Sequence, residues 1–130
     1  MYEEITEKIK ITVKPEFLDE HSDPEEKRFI WAYHIKIENN GEDTVKLVSR
    51  SWTISDSMGR VQEVRGSGVV GENPILKPGS SFEYTSGTPL NTPSGFMMGT
   101  YKMKKNNGSI FHVHIPAFSL DSPHEKGLQN

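Results

Sequence analysis

Hydrophobic and polar residues alternate with period two along most of this chain, the pattern of strands with one buried face. Ile9, Ile11, Val13 and Phe17 are separated by Lys8, Lys10, Thr12, Lys14 and Glu16, which predicts a strand with a dry face and a basic, wet face. Pro15 cannot donate to a ladder and so marks an edge or a strand end. Residues 18–27 are polar, contain Pro24 and read as a loop. Phe29, Trp31, Tyr33, Ile35 and Ile37 then alternate with Ile30, Ala32, His34, Lys36 and Glu38, a long strand expected at the centre of the core.

Asn39-Asn40-Gly41 is a turn signal, because Asn and Gly tolerate positive φ. The strand that follows, from about Thr44 to Asp56, changes parity: Val45 and Leu47 share one register, Val48, Trp52 and Ile54 the other. A β-bulge or a sheet-switching corner is expected there. A turn at Asp56-Ser57-Met58-Gly59 leads to a short strand from Val61 to Arg65. Residues 66–79, rich in Gly and Pro, predict an extended loop. Phe82 and Tyr84 mark a strand, and 87–95, rich in Ser, Thr, Pro and Gly, predict another loop. Met97, Tyr101 and Met103 alternate with Met98, Thr100, Lys102 and Lys104. Asn106-Asn107-Gly108 turns into a last strand with Phe111, Val113 and Ile115 inward. A polar tail is expected from Ser119 onward. The whole predicts an all-β antiparallel sandwich of about seven strands, with the domain at 1–120 and a tail at 121–130.

With 130 residues this is one domain, large enough to bury a core without a metal or disulfide staple. Cysteine is absent, which removes thiolate chemistry and fits a reducing compartment. The start Met1-Tyr2-Glu3-Glu4 has neither a basic opening nor an apolar run, and no segment approaches the ~20 apolar residues of a membrane helix. A cytoplasmic protein without a membrane anchor is expected. The net charge of −3, from 15 basic and 18 acidic residues, argues against a nucleic-acid partner, whose phosphates demand a basic excess.

The run Ser49-Arg50-Ser51-Trp52, the segment Glu63-Val64-Arg65-Gly66-Ser67-Gly68-Val69-Val70-Gly71, then Pro74, Pro78-Gly79, Phe82-Glu83-Tyr84-Thr85-Ser86-Gly87, Thr92-Pro93-Ser94-Gly95, Met98-Gly99-Thr100-Tyr101 and Ile115-Pro116-Ala117-Phe118-Ser119-Leu120 together resemble the ApaG family, also known as CorD. The resemblance implies an immunoglobulin/fibronectin type III-like sandwich, an association with cobalt and magnesium tolerance and with dinucleoside polyphosphate metabolism, and a role in protein interaction. No enzymatic activity is established for that family, a binding module is favoured over an enzyme, and no cofactor is expected.

The residues themselves offer four candidate sites. Gly66, Gly68 and Gly71 fit the spacing GxGxxG, but Pro74 and Pro78 forbid the helix that a dinucleotide fold needs next. What survives is an anion nest of glycine N–H groups beside Arg65, suited to phosphate or a pyrophosphate-containing nucleotide, or a plain structural loop. His112 and His114 lie two apart on one strand face, a weak metal-ligand pair for which His34 is the strand-borne third candidate. Arg50, Trp52 and Glu63 form a candidate interaction surface, Trp and Arg being enriched at binding hot spots. Lys8, Lys10 and Lys14, and Lys102, Lys104 and Lys105, form two basic stripes. No nucleophile elbow, zincin helix or P-loop lysine is present. Two functions compete: a non-catalytic module for an unknown protein partner, as a monomer or weak homodimer, or a binder of or enzyme on pyrophosphate-containing nucleotides. An apolar patch near Trp52 favours the first, and a deep pocket shared by Arg50, Arg65 and the glycine N–H groups the second.

Overall fold

A computed structural model describes residues 1–124. Two antiparallel sheets face each other. The four-stranded sheet has the order β1 (Tyr2–Thr6), β2 (Ile9–Phe17), β3 (Phe29–Asn39), β7 (Ser81–Leu90). The five-stranded sheet has the order β5 (Val61–Ser67), β4 (Val45–Asp56), β8 (Ser94–Lys105), β9 (Ile110–Asp121), with the short β6 (Ile75–Leu76) also paired to β4. Two 3-10 turns, Asp19–His21 and Pro24–Glu26, break up the loop between β2 and β3. No helix among the described residues is long and apolar enough to cross a membrane.

Among the described residues nine strands are seen where about seven were expected, and both additions are short. β1 pairs with Ile9–Val13 through a hairpin whose turn residues Glu7 and Lys8 take positive φ without any Gly or Asn to signal it. β6 forms two ladder pairs within the segment read as loop. The loop expected at 87–95 shrinks to 91–93, because the eleven-residue β3 offers a partner for every residue of β7 as far as Leu90. Pro15 lies within β2, but past Val13, where β1 ends, so its missing N–H faces no neighbour. The last strand continues to Asp121, Ser122 is buried, and His124 packs against Phe17 and Phe29; the remainder of the polar tail, 125–130, lies outside the described residues.

The expected parity change in β4 is a bulge at Val48, between the pairs Leu47–Met103 and Ser49–Lys102. One extra residue lets Val45 and Leu47 on one side and Trp52 and Ile54 on the other all point inward. A second bulge, in β9, spans Pro116 and Ala117 opposite Met98 and returns Phe118 and Leu120 to the core. Trp52 joins the sheets: its ring lies 5.2 Å from that of Tyr33 and 6.0 Å from that of Phe118. Space for it comes from Gly99, where a Cβ would stand 3.0 Å from the Trp52 ring and 2.4 Å from the Ser51 carbonyl oxygen.

Tyr84 of β7 and Tyr101 of β8 meet across the sandwich, and their hydroxyls bond to each other in the core. Burial, which penalises the phenolate, raises both above the ordinary value of 10.0, and for Tyr101 the neighbouring Tyr84 adds to the effect. The neutral forms are thus favoured in the native state. Their stabilisation is complete below pH 10, where the unfolded chain also keeps its phenols protonated, and is lost as pH rises above that towards the native values. Tyr84→Phe is expected to destabilise by about 1–3 kcal/mol, since it strands the Tyr101 hydroxyl. The double change Tyr84→Phe/Tyr101→Phe should cost less than the sum of the single changes and flatten the alkaline fall of the urea midpoint above pH 10.

Candidate functional site

The glycine segment is a clamp over the β4 bulge. The Gly68 N–H donates to the Val48 carbonyl at 2.9 Å, and Val69 and Glu72 exchange backbone bonds at 2.8 and 2.9 Å around a turn. In that turn Val70 and Gly71 take φ of 43° and 79°. Asn73 then lays its side-chain amide on the Leu47 and Val48 carbonyls at 3.2 and 3.1 Å, and Pro74 accepts from the Leu47 N–H. The N–H groups of Gly68, Val69 and Glu72 are therefore engaged within the chain. Gly68, at φ 59°, is tightly constrained: a Cβ there would meet the Glu72 carbonyl oxygen at 2.1 Å.

Arg50 and Arg65 occupy opposite faces of the five-stranded sheet. Arg50 shares the inward parity of Trp52, lies over Gly66, and donates to the Ser67 and Gly68 carbonyls at 3.0 and 2.8 Å. A Cβ at Gly66 would come within 2.8 Å of its guanidinium nitrogens, so this glycine makes room for an arginine side chain. Arg65 and Glu63 point outward from β5 and are exposed, while Trp52 is buried. The sheet separates Arg65 from Arg50, so the described residues do not bring both together in one pocket with the glycine N–H groups. Of the surface formed by Arg50, Trp52 and Glu63, only Glu63 lies fully at the surface.

His112 and His114 project from the outer face of β9, opposite Lys102 and Thr100. His34 is on the outer face of the other sheet, where Thr85 Oγ1 and Glu16 Oε1 hold its two ring nitrogens at 2.7 and 2.9 Å. The three imidazoles do not converge, and among the described residues no group of three or more His, Cys, Asp or Glu is placed to hold a metal. The lysines divide in the same way. Lys10 and Lys14 lie on the outer face of the four-stranded sheet, Lys102 and Lys104 on that of the five-stranded sheet, and Lys105 turns over Phe111 and towards Asp43 at 3.7 Å.

The two outer faces differ in chemistry. That of the four-stranded sheet is largely charged and polar, with ion pairs Lys10–Glu3 and Lys36–Glu38 at 3.6 and 3.9 Å and the His34–Glu16 hydrogen bond at 2.9 Å, and it exposes Ile5 beside Lys10. That of the five-stranded sheet carries Val61, Phe96 and Met98, exposed by 62, 42 and 42%. Ser55 sits between Val61 and Phe96, and Thr53 between Glu63 and Met98, so these apolar side chains flank a floor of small hydroxyl residues on β4. Sequence parity placed Met98 outward; Phe96 carries the same signal and was missed, as an aromatic residue on a wet face.

The clamp geometry generates a prediction. Gly68→Ala should destabilise by about 1–3 kcal/mol through overpacking and backbone strain. Gly71→Ala, with open space around its Cβ position, should cost less. Urea titrations rank the two variants, and equal costs would contradict the clamp. In an NMR titration with millimolar pyrophosphate, the Gly68 and Val69 amides are expected not to shift.

The ApaG domain pattern matches residues 19–105. The chain is 61% identical to a protein named ApaG from Rhodospirillum centenum and 59% identical to one from Paramagnetospirillum magneticum, in each case over all of both chains. A crystal structure of a protein from Bordetella pertussis, titled as an ApaA protein, superposes with a TM-score of 0.86 at 47% identity, covering 88% of this chain and 94% of its own. A pattern match over more than half the chain and full-length identity of this order have one meaning: this chain belongs to the ApaG domain family.

Proposed function

We propose that this protein is a non-catalytic, cytoplasmic module that binds a protein partner on the outer face of its five-stranded sheet. The observation that carries this reading is the cluster of Val61, Phe96 and Met98 on a flat Ser/Thr floor, facing solvent, while on the opposite outer face Ile5 stands beside Lys10 and Glu3 without an apolar cluster around it among the described residues. Apolar side chains grouped on one sheet face favour a partner that buries them. Glu63 and Arg65 on β5, Lys102 on β8 and His114 on β9 border the cluster and give it a polar rim, the arrangement of specific protein interfaces. A depression of about 480 Å³ at the Phe96 end, between Ser57 and Ala117, offers a seat for one apolar side chain of the partner. No catalytic arrangement enters this account, and metal tolerance would follow from the partner's activity.

The partner's contact should depend on two side chains that the fold does not need. Phe96→Ser combined with Met98→Ser removes the apolar cluster and leaves the core untouched, so the thermal midpoint should change little. Quantitative affinity capture from the native cell, with Lys36→Ser on the charged face as control, should give a protein that wild type and control retain in stoichiometric amount. The double variant should lose it at least about tenfold. Equal recovery by all three forms would overturn the proposal.

A further inference from the structure

We infer that two copies of this chain associate edge to edge through β5, joining their five-stranded sheets into one. β5 is the outer strand of its sheet and bonds only to β4. The bond from the Gly68 N–H to the Val48 carbonyl fixes which groups face which way. By the two-residue repeat of an antiparallel ladder, Gln62, Val64 and Gly66 turn their backbone groups to β4. Val61, Glu63, Arg65 and Ser67 turn theirs outward, where among the described residues only the Ser67 carbonyl has a partner, the Arg50 guanidinium.

This edge lacks the defences of β9 and β7. β9 is covered by β1: the Thr6 hydroxyl accepts from the His114 N–H at 3.2 Å and the Tyr2 hydroxyl from the Ser119 N–H at 3.3 Å. β7 carries Pro89 at a position that, by the same repeat, faces outward. β5 is seven residues long, with no proline and no lysine; among the described residues it pairs with β4 alone, and its edge charges are Glu63 and Arg65.

Its charges select a second copy as occupant. Antiparallel pairing of identical strands is isologous, with residue i of one opposite j of the other and j opposite i. Centred on Val64, the pairing uses the whole of Val61–Ser67 and sets Glu63 of each copy directly opposite Arg65 of the other. Centred on Glu63, it would set two carboxylates face to face; centred on Arg65, two guanidinium groups. Opposite charges across a strand pair stabilise and like charges oppose it. The register that pairs every residue is thus also the one that satisfies both charges. Neither Glu63 nor Arg65 has an ion-pair partner within the described residues. The association does not depend on the protein partner proposed above; it would place two apolar faces side by side on one continuous sheet.

Sedimentation velocity on the full chain, from micromolar to near-millimolar concentration, tests this. Wild type should dimerise with rising concentration. Glu63→Arg and Arg65→Glu should each weaken the dimer by roughly tenfold or more, since each sets like charges opposite one another. Mixing the two single variants should restore it, because a strand with two arginines then meets a strand with two glutamates. Both side chains are exposed, so circular dichroism should show the fold retained. As an independent readout, hydrogen exchange at the Glu63 and Arg65 amides should slow with concentration in wild type and not in either single variant. A wild type that stays monomeric throughout would overturn the inference. So would a dimer that both single variants keep undiminished. Capture of a foreign strand by β5 in a monomeric wild type would assign the edge to another occupant and likewise overturn it.

Discussion

The one extra residue at Val48 is the constraint on which the rest of the structure depends. Without it, β4 could not turn both Leu47 and Trp52 into the same core, because successive side chains of a strand alternate faces. A bulge leaves backbone groups out of the ladder, and those groups must find partners elsewhere. Here the carbonyls of Leu47 and Val48 receive the Asn73 amide, the Val48 carbonyl also receives the Gly68 N–H, and the Leu47 N–H reaches Pro74. The segment with nucleotide-motif spacing is thus shaped by a repair task. Gly68 is there because the Glu72 carbonyl occupies the place of a side chain, and Gly66 because Arg50 does.

Because the loop serves the interior, the surface chemistry has to be sought elsewhere, and the sandwich distributes it unevenly. One outer face carries the ion pairs Lys10–Glu3 and Lys36–Glu38 and holds His34 between Thr85 and Glu16. The other exposes Phe96, Met98 and Val61 on a floor of hydroxyls. One lateral side is closed by β1, and the other presents β5 and the proline-bearing β7. This asymmetry is what the proposed partner face and the proposed edge pairing both rest on, while core positions such as Tyr101 and Trp52 are fixed by packing.

Much of this was legible from alternation, because parity is local. The inward sets on β2, β3, β4 and β8, and the bulge in β4, follow from residue spacing alone. Short elements were not legible: β1 lacks a turn signal, with Glu7 and Lys8 in positive φ, and β6 exists only because β4 extends past β5 to meet it. At 87–95, Gly, Ser, Thr and Pro point to a loop, but β3 supplies ladder partners and pairing overrides composition. The mutual placement of the candidate residues was not legible for a different reason. That Arg65 and Arg50 face opposite ways, and that His34 and His114 lie on different sheets, depends on which strands neighbour which, and that is a non-local property.

The cover that β1 places over β9 also bears on how the chain is made. Along the chain the β1–β2 hairpin precedes β9 and is therefore made before it. When the final strand emerges, the Thr6 and Tyr2 hydroxyls that accept its peripheral amides are already in place. The strand whose exposed amides could recruit a neighbouring nascent chain on a crowded polysome therefore meets its own cover as soon as it pairs with β8. A rearrangement that placed the first hairpin after β9 would deliver the cover later than the strand it covers. It would leave β9 uncovered during synthesis, so the order of segments here protects the protein in a way that its final stability does not record.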